Sequence, residues 1–156
     1  MSEHRTPTQA SPYYLPKHKY LSALQYALSY EELKSELEDL YDQCKATGID
    51  YSKDRVQSGA SGDMVYIMAE RITEVNGKLK KISETIVDVA PECFQHFLFL
   101  SVCRGFTYHQ LCEHKDGHGK KDPVPLGKNA FSRMRQRFYF ELSKKKKQAG
   151  QLVTGH

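Results

Sequence analysis

Seven apolar residues, Val65, Met68, Ile72, Val75, Leu79, Ile82 and Ile86, follow one another at steps of three and four without interruption. That spacing places them on one stripe of a helix. The helix is predicted to start near Ser61 or Asp63 and to stop before Pro91, whose ring cannot continue it. Its roughly 25 residues, at about 1.5 Å each, make a rod ~38 Å long. A rod of that length cannot bury its own stripe, so it needs a partner. The segment before it offers one: Tyr26, Tyr30, Leu33, Leu37, Leu40 and Cys44 step by four, three, four, three and four, up to a stop at Gly48. The simplest solution is an antiparallel helical hairpin, a coiled-coil-like arm, with further faces left over for a second subunit. Asn76-Gly77 is the soft point of the long helix, costing about 1 kcal/mol relative to Ala, and the place where a bend is expected.

The remaining segments follow from this frame. Residues 1–16 hold three prolines among polar neighbours and are predicted to be a disordered arm. Lys17 to Leu28 fits a short helix with Leu21, Leu24 and Leu28 on one side, and Ser29 to Glu32 fits a capping box. Whether the helix restarts at Ser29 or runs through it is open. The linker Ile49 to Asp63 is polar and carries Gly59 and Gly62; it is read first as a loop that turns the hairpin. A contact of Lys53 and Arg55 with DNA or another subunit is the other reading of residues 51–61. No Gly-x4-Gly-Lys-Ser/Thr phosphate loop is present.

Charge separates the two ends. From Lys115 to Lys147 there are 11 Lys and Arg against 3 Asp and Glu, whereas Met1 to His114 has 12 against 16. The modest total of +4 thus hides a basic C-terminal end on an acidic body, as expected of a protein that meets a polyanion with one face. No apolar run approaches the roughly 20 residues of a membrane span, and the first residues have no secretion-signal pattern. The expected location is therefore the cytoplasm. Cys44, Cys93, Cys103 and Cys112 lack Cys-x2-Cys spacing and are read as reduced, buried thiols. Cys112, His114 and His118 lie close in sequence, but their spacing matches no zinc scheme, and a polar loop after a helix is the expected reading. Neither a metal nor a cofactor is expected.

The C-terminal part, 91–147, reads as a helix-turn-helix. After Pro91, Glu92 to Arg104 is an apolar helix that Gly105 is placed to end. Thr107 and Gln110 then form a capping box, with Phe106 stapled to Leu111, so a second, short helix starts there. The connection from Lys115 to Gly127 is longer than a minimal turn and is either a basic wing bearing Lys115, Lys120 and Lys121 or a solvated loop. The final helix divides by its 100° step: Phe131, Met134, Phe138 and Leu142 face inward, while Asn129, Ser132, Arg133, Gln136 and Arg137 face out. Arg can bond guanine O6 and N7 together, and Asn or Gln can bond adenine N6 and N7. Lys128, Lys144, Lys145 and Lys146 add sequence-independent attraction to phosphates. Phe140 falls on the exposed side and calls for a partner surface. Residues 148–156 are predicted to be a disordered tail.

Three segments together resemble the phage-encoded late transcription regulators of the RinA and ArpU-like group: Asp50 to Ser58 with Ser61 to Asp63, the long helix that follows, and Pro125 to Phe138. The likeness covers roughly residues 20–147. It implies a sigma region 4-like helix-turn-helix and a small activator that binds promoter DNA and acts with host RNA polymerase on late genes. The long turn containing Gly and Pro departs from the compact sigma-like pattern.

The expected fold is thus all-α, with residues 17–90 as the hairpin, for oligomerisation or partner binding, ahead of the DNA-binding part. The expected function is a sequence-specific regulator of transcription on double-stranded DNA, with a homodimer formed through the hairpin. A small terminase-like packaging subunit, which would form a ring, is the alternative. A protein-interaction coiled coil would show no salt-dependent DNA binding. An enzyme is not expected, since neither Gly-x-Ser-x-Gly nor His-Glu-x2-His is present and there is no nucleotide-binding loop.

Overall fold

The structure is a computed structural model that describes residues 11–46, 62–113, 124 and 126–154, without the side chains of 63 and 146–154. These residues form six helices and no strand: α1 (Lys17–Leu28), α2 (Tyr30–Ala46), α3 (Gly62–Val89), α4 (Glu92–Arg104), α5 (Tyr108–Glu113) and α6 (Lys128–Thr154). The all-α class is as expected. No helix among the described residues is long and apolar enough to cross a membrane. The linker 51–61, with Lys53 and Arg55, lies outside the described residues, as do residues 1–10.

The chain divides into two compact units. One takes residues 30–80 and the other residues 1–29 with 81–156, so α3 contributes to both. The segment 17–90, expected as the hairpin, has residues in both units. α1 packs on α6 and α4, within the unit that holds the C-terminal helices.

The reason lies in which face α1 buries. Tyr20, Ala23 and Ala27 are buried, whereas Leu21 and Leu28 are exposed. The expected leucine face is therefore not the packed one. Two alanines four residues apart let the helix backbones approach closely, and Tyr20 sets its ring edge-on to Tyr139 of α6, centroids 5.2 Å apart. The segment ahead of α1 is packed too, since Leu15 is buried and Tyr13 meets Phe140 edge-on at 5.8 Å. The expected disorder of residues 1–16 thus does not extend to 11–16. At Ser29 the backbone leaves the helix (ψ 0°), and the hydroxyl donates to the Tyr26 carbonyl at 2.5 Å. The helix restarts at Tyr30, and the apolar series of α2 runs from Leu33 rather than from Tyr26.

In the unit of residues 30–80, Cys44, Met68 and Ile72 form a buried cluster with Leu37 and Leu40 packed against it. Arg71 adds an ion pair with Glu36 at 2.6 Å. Of the seven-residue stripe on α3, Met68, Ile72, Val75, Ile82 and Ile86 are buried, and Val65 and Leu79 are half-buried. Ile82 and Ile86 belong to the other unit, with Thr85 buried among them and its hydroxyl donating to the Lys81 carbonyl. Of the thiols, Cys44 and Cys103 are buried, but Cys93 is exposed and Cys112 half-buried. The expectation of four buried thiols fails where the apolar pattern of α4 and α5 turns outward.

Candidate nucleic-acid interface

α4 ends as its sequence requires. Gly105 takes φ 73°, the left-handed region open to glycine, and the N–H groups of Gly105 and Phe106 return to the carbonyls of Ser101 and Leu100 at 3.1 and 3.2 Å. One residue further on, the Thr107 N–H donates to Gln110 Oε1 at 2.8 Å, and the Gln110 N–H donates to Thr107 Oγ1 at 3.1 Å. This reciprocal pair is the predicted capping box, and it fixes where α5 begins.

Leu111 of α5 is then driven into a cluster with Leu100 of α4 and Phe131 of α6, with Phe106 packed against it as the staple. The connection into α6 is held at its far end. Val124 and Leu126 pack on the same cluster, and the Tyr108 hydroxyl donates to the Leu126 carbonyl at 2.7 Å. Tyr108 also meets the Phe131 ring, centroids 5.9 Å apart. Sequence reasoning missed this tether. The signal available was a large amphipathic side chain at the first position of α5, beside the cap. The N-terminal end of α6 is therefore fixed by α4, α5 and the Tyr108–Leu126 hydrogen bond across the connection.

On α6 the inward face is Phe131, Phe138, Tyr139 and Leu142, all buried, with Met134 half-buried on the cluster. Arg135 joins that face. It is 3% exposed, donates from Nη1 to Ser101 Oγ at 3.3 Å, and lies 5.8 Å from the centre of the Phe131 ring. Counted by sequence among the helix's cations, it is a buried structural residue. Burial pushes the hydroxyls of Tyr139 and Tyr20 above their ordinary range, and the Arg135 charge partly offsets this at both.

The opposite face carries the expected recognition residues. Lys128, Asn129, Arg133 and Arg137 are exposed, and Ser132 and Gln136 are half-buried beside them. Asn129, Arg133 and Arg137 recur every four residues, so they stand one above another along the helix. Lys144 continues that line, with Nζ 4.5 Å from the centre of the Phe140 ring. Phe140 is thereby covered from two sides, by Tyr13 and by Lys144, and its place on the outward face is explained. Lys145 differs from its neighbour. Its Nζ lies 2.7 Å from Asp88 Oδ2 at the end of α3, so it is already paired with an acid.

α6 does not stop at Lys147 but continues to Thr154. The expected tail is helical over 148–154 because Gln148, Ala149, Gln151 and Leu152 favour a helix and no proline intervenes. Lys146 lies on this helix, but its side chain is outside the described residues. Lys120, Lys121, His114 and His118 also lie outside them. Among the described residues no group of three or more His, Cys, Asp or Glu is placed to hold a metal ion.

No protein-family model, curated protein or solved structure matches this chain.

Proposed function

We propose that the chain is a sequence-specific regulator of transcription on double-stranded DNA, with α4 and α5 as the supporting helices of a helix-turn-helix and α6 as its recognition helix. The observation that carries this reading is the division of α6. One face is locked into the α4–α5 cluster, and the other presents Asn129, Arg133 and Arg137 to solvent near the helix's N-terminal end. Major-groove readers use that end and those side-chain types. Lys128 and Lys144 bracket the line and hold phosphates, which gives salt-dependent attraction.

The resemblance noted above makes the regulator a phage late-gene activator that acts with host RNA polymerase in the bacterial cytoplasm. Residues 30–80 serve self-association. Met64, Tyr66 and Ile67 lie 52, 68 and 62% exposed at the start of α3, an apolar patch that suits a second copy in a homodimer.

Fluorescence anisotropy with duplexes from late-gene upstream regions, beside scrambled duplexes and at several salt concentrations, tests the reading. Selective binding with a steep log–log salt slope is the expected result. Binding that ignores sequence and vanishes at physiological salt overturns it. Light scattering on the same sample reports the assembly: a dimer fits a regulator, and a closed ring would favour a DNA-packaging subunit.

A further inference from the structure

Five of the seven exposed large apolar side chains among the described residues fall into two patches. One is on α1. Tyr20, Ala23 and Ala27 face the core of its unit, whereas Leu21, Leu24 and Leu28 form a second stripe, with Leu21 and Leu28 exposed and Leu24 half-buried. A helix that is apolar on both sides is suited to being covered on both sides. Lys17 stands one turn ahead of Leu21, so the stripe begins with a positive charge. The other patch is Met64, Tyr66 and Ile67 at the start of α3. It runs into an open groove of about 600 Å³ lined by Tyr66, Ala69, Glu70, Thr73 and Glu74. The Thr73 hydroxyl donates to the Ala69 carbonyl at 2.9 Å and is satisfied on its own helix. The charge of the groove is that of two carboxylates, Glu70 and Glu74.

Each patch alone is small beside a stable dimer interface, which takes about 20–30 residues a side. Together they match in charge and in length. The eleven steps from Lys17 to Leu28 and the ten from Met64 to Glu74 make stretches of about 16 and 15 Å. One stretch is apolar with a cation at one end, and the other is apolar at one end and acidic at the other. Glu74 is also bonded to Arg71 and Lys78, so Glu70 carries most of the attraction.

We infer that two copies of the chain close a dimer through two equal contacts, in each of which the leucine stripe of α1 lies antiparallel along the partner's α3 patch and groove. This deepens the homodimer reading above and rests on it. The antiparallel direction sets Leu28 against the partner's Met64, Leu24 against the partner's Ile67 and Leu21 against the partner's Ala69. Lys17 then falls between the partner's Glu70 and the partner's Glu74. A parallel pairing would set Lys17 on the apolar end and Leu28 on the carboxylates. Two-fold symmetry uses the pair of patches twice, which doubles the buried area and leaves neither patch open. Because α1 packs on α6, the contact is made by the unit that carries the recognition helix, and each dimer brings two α6 helices into one two-fold assembly.

The test is sedimentation analysis of the full chain and of two double variants, Leu21→Ser with Leu28→Ser and Tyr66→Ser with Ile67→Ser. All four positions are exposed, and circular dichroism checks that both variants fold. The wild-type chain should be a dimer, and each variant alone a monomer at the same concentration. An equimolar mixture of the two variants should form a heterodimer, because that pair keeps one of its two contacts, with a Kd at least about tenfold weaker than wild type. Lys17→Glu, which leaves the apolar surface alone, should weaken the wild-type dimer about tenfold, since the ion pair occurs twice. A variant that stays dimeric alone overturns the inference, as does a mixture with no heterodimer or unchanged dimerisation in Lys17→Glu, while the homodimer reading stands in each case. A monomeric wild-type chain overturns the homodimer reading itself, and an assembly larger than two overturns the closed pairing.

Discussion

Arg135 and Arg137 stand two residues apart on α6, yet the first is 3% exposed against Ser101 and the Phe131 ring while the second lies in solvent. Two steps of 100° turn a helix through more than half a circle, and that rotation alone separates their roles. A charged side chain is seldom fully buried, and where one is, its stem fills core volume while its head satisfies polar groups. A count of positive residues therefore overstates what a basic helix offers to a polyanion. On α6, Arg135 is withdrawn into the core and Lys145 is held by Asp88, which leaves Lys128, Arg133, Arg137 and Lys144 as the exposed cations among the described side chains.

The sharpest way to break this comparison is to remove the charge from each face in turn. Replacing Arg133 and Arg137 together by Ala should cost ~1 to 3 kcal/mol of specific DNA binding for each arginine that bonds a base, read by anisotropy. The same change should move the urea-unfolding free energy by no more than about 0.5 kcal/mol, because both are surface positions. Arg135→Ala should do the opposite. It empties a long side chain from the core, and a loss of about 2 to 4 kcal/mol of stability is expected in urea unfolding. Arg135→Met keeps most of the volume and removes the buried charge, so it should recover most of that loss. If Arg135→Met unfolds as easily as Arg135→Ala, then the charge and not the packing is what matters at this site.

A smaller effect belongs to the turn that holds the two faces in place. Gly105→Ala forces an L side chain into the left-handed region at φ 73°, which should cost about 1 to 2 kcal/mol in thermal or urea unfolding. Steric crowding is not the cause, as the nearest atom to the added methyl would be Leu28 Cδ2 at an ordinary 3.6 Å. A neutral result would show that the backbone relaxes out of the left-handed region once Gly is gone.

Several of these features could be read directly from the residues, and the reason is locality. The capping box of Thr107 and Gln110, the staple of Phe106 on Leu111 and the left-handed Gly105 each depend on neighbours within a few positions. The apolar stripe of α3 and the split of α6 depend only on helical period. Residues whose roles are set by distant partners were read less well. Tyr20 is buried because Tyr139 comes to meet it, while Leu21 beside it stays exposed. Arg135 could have been placed, since its wheel position falls between those of Leu142 and Tyr139, but it was only counted among the cations of the basic end. The Tyr108 bond to Leu126 crosses a connection whose path no local pattern fixes. The assignment of α1 to the C-terminal unit rests on two small alanines that look unremarkable in sequence beside three leucines.

The pair of Lys145 and Asp88 supplies the finest test of what the outward face can do. Lys145 is 23% exposed and Asp88 60%, so the bond sits at the surface and should contribute at most about 1 kcal/mol to stability. Its effect on a polyanion is of another kind. A phosphate approaching α6 must compete with the Asp88 carboxylate for the Lys145 ammonium, and Asp88 also repels it. Asp88→Asn removes both effects without shortening the side chain. The expected outcome is a small gain in affinity for any duplex, with the log–log salt slope steeper by about 0.9, the amount one added phosphate contact contributes on B-DNA. Sequence preference should stay as it is, because Lys145 is not among the side chains placed to reach base edges. An unchanged slope would mean that Lys145 lies beyond the reach of DNA, and the phosphate contacts proposed for α6 would then fall to Lys128 and Lys144 alone.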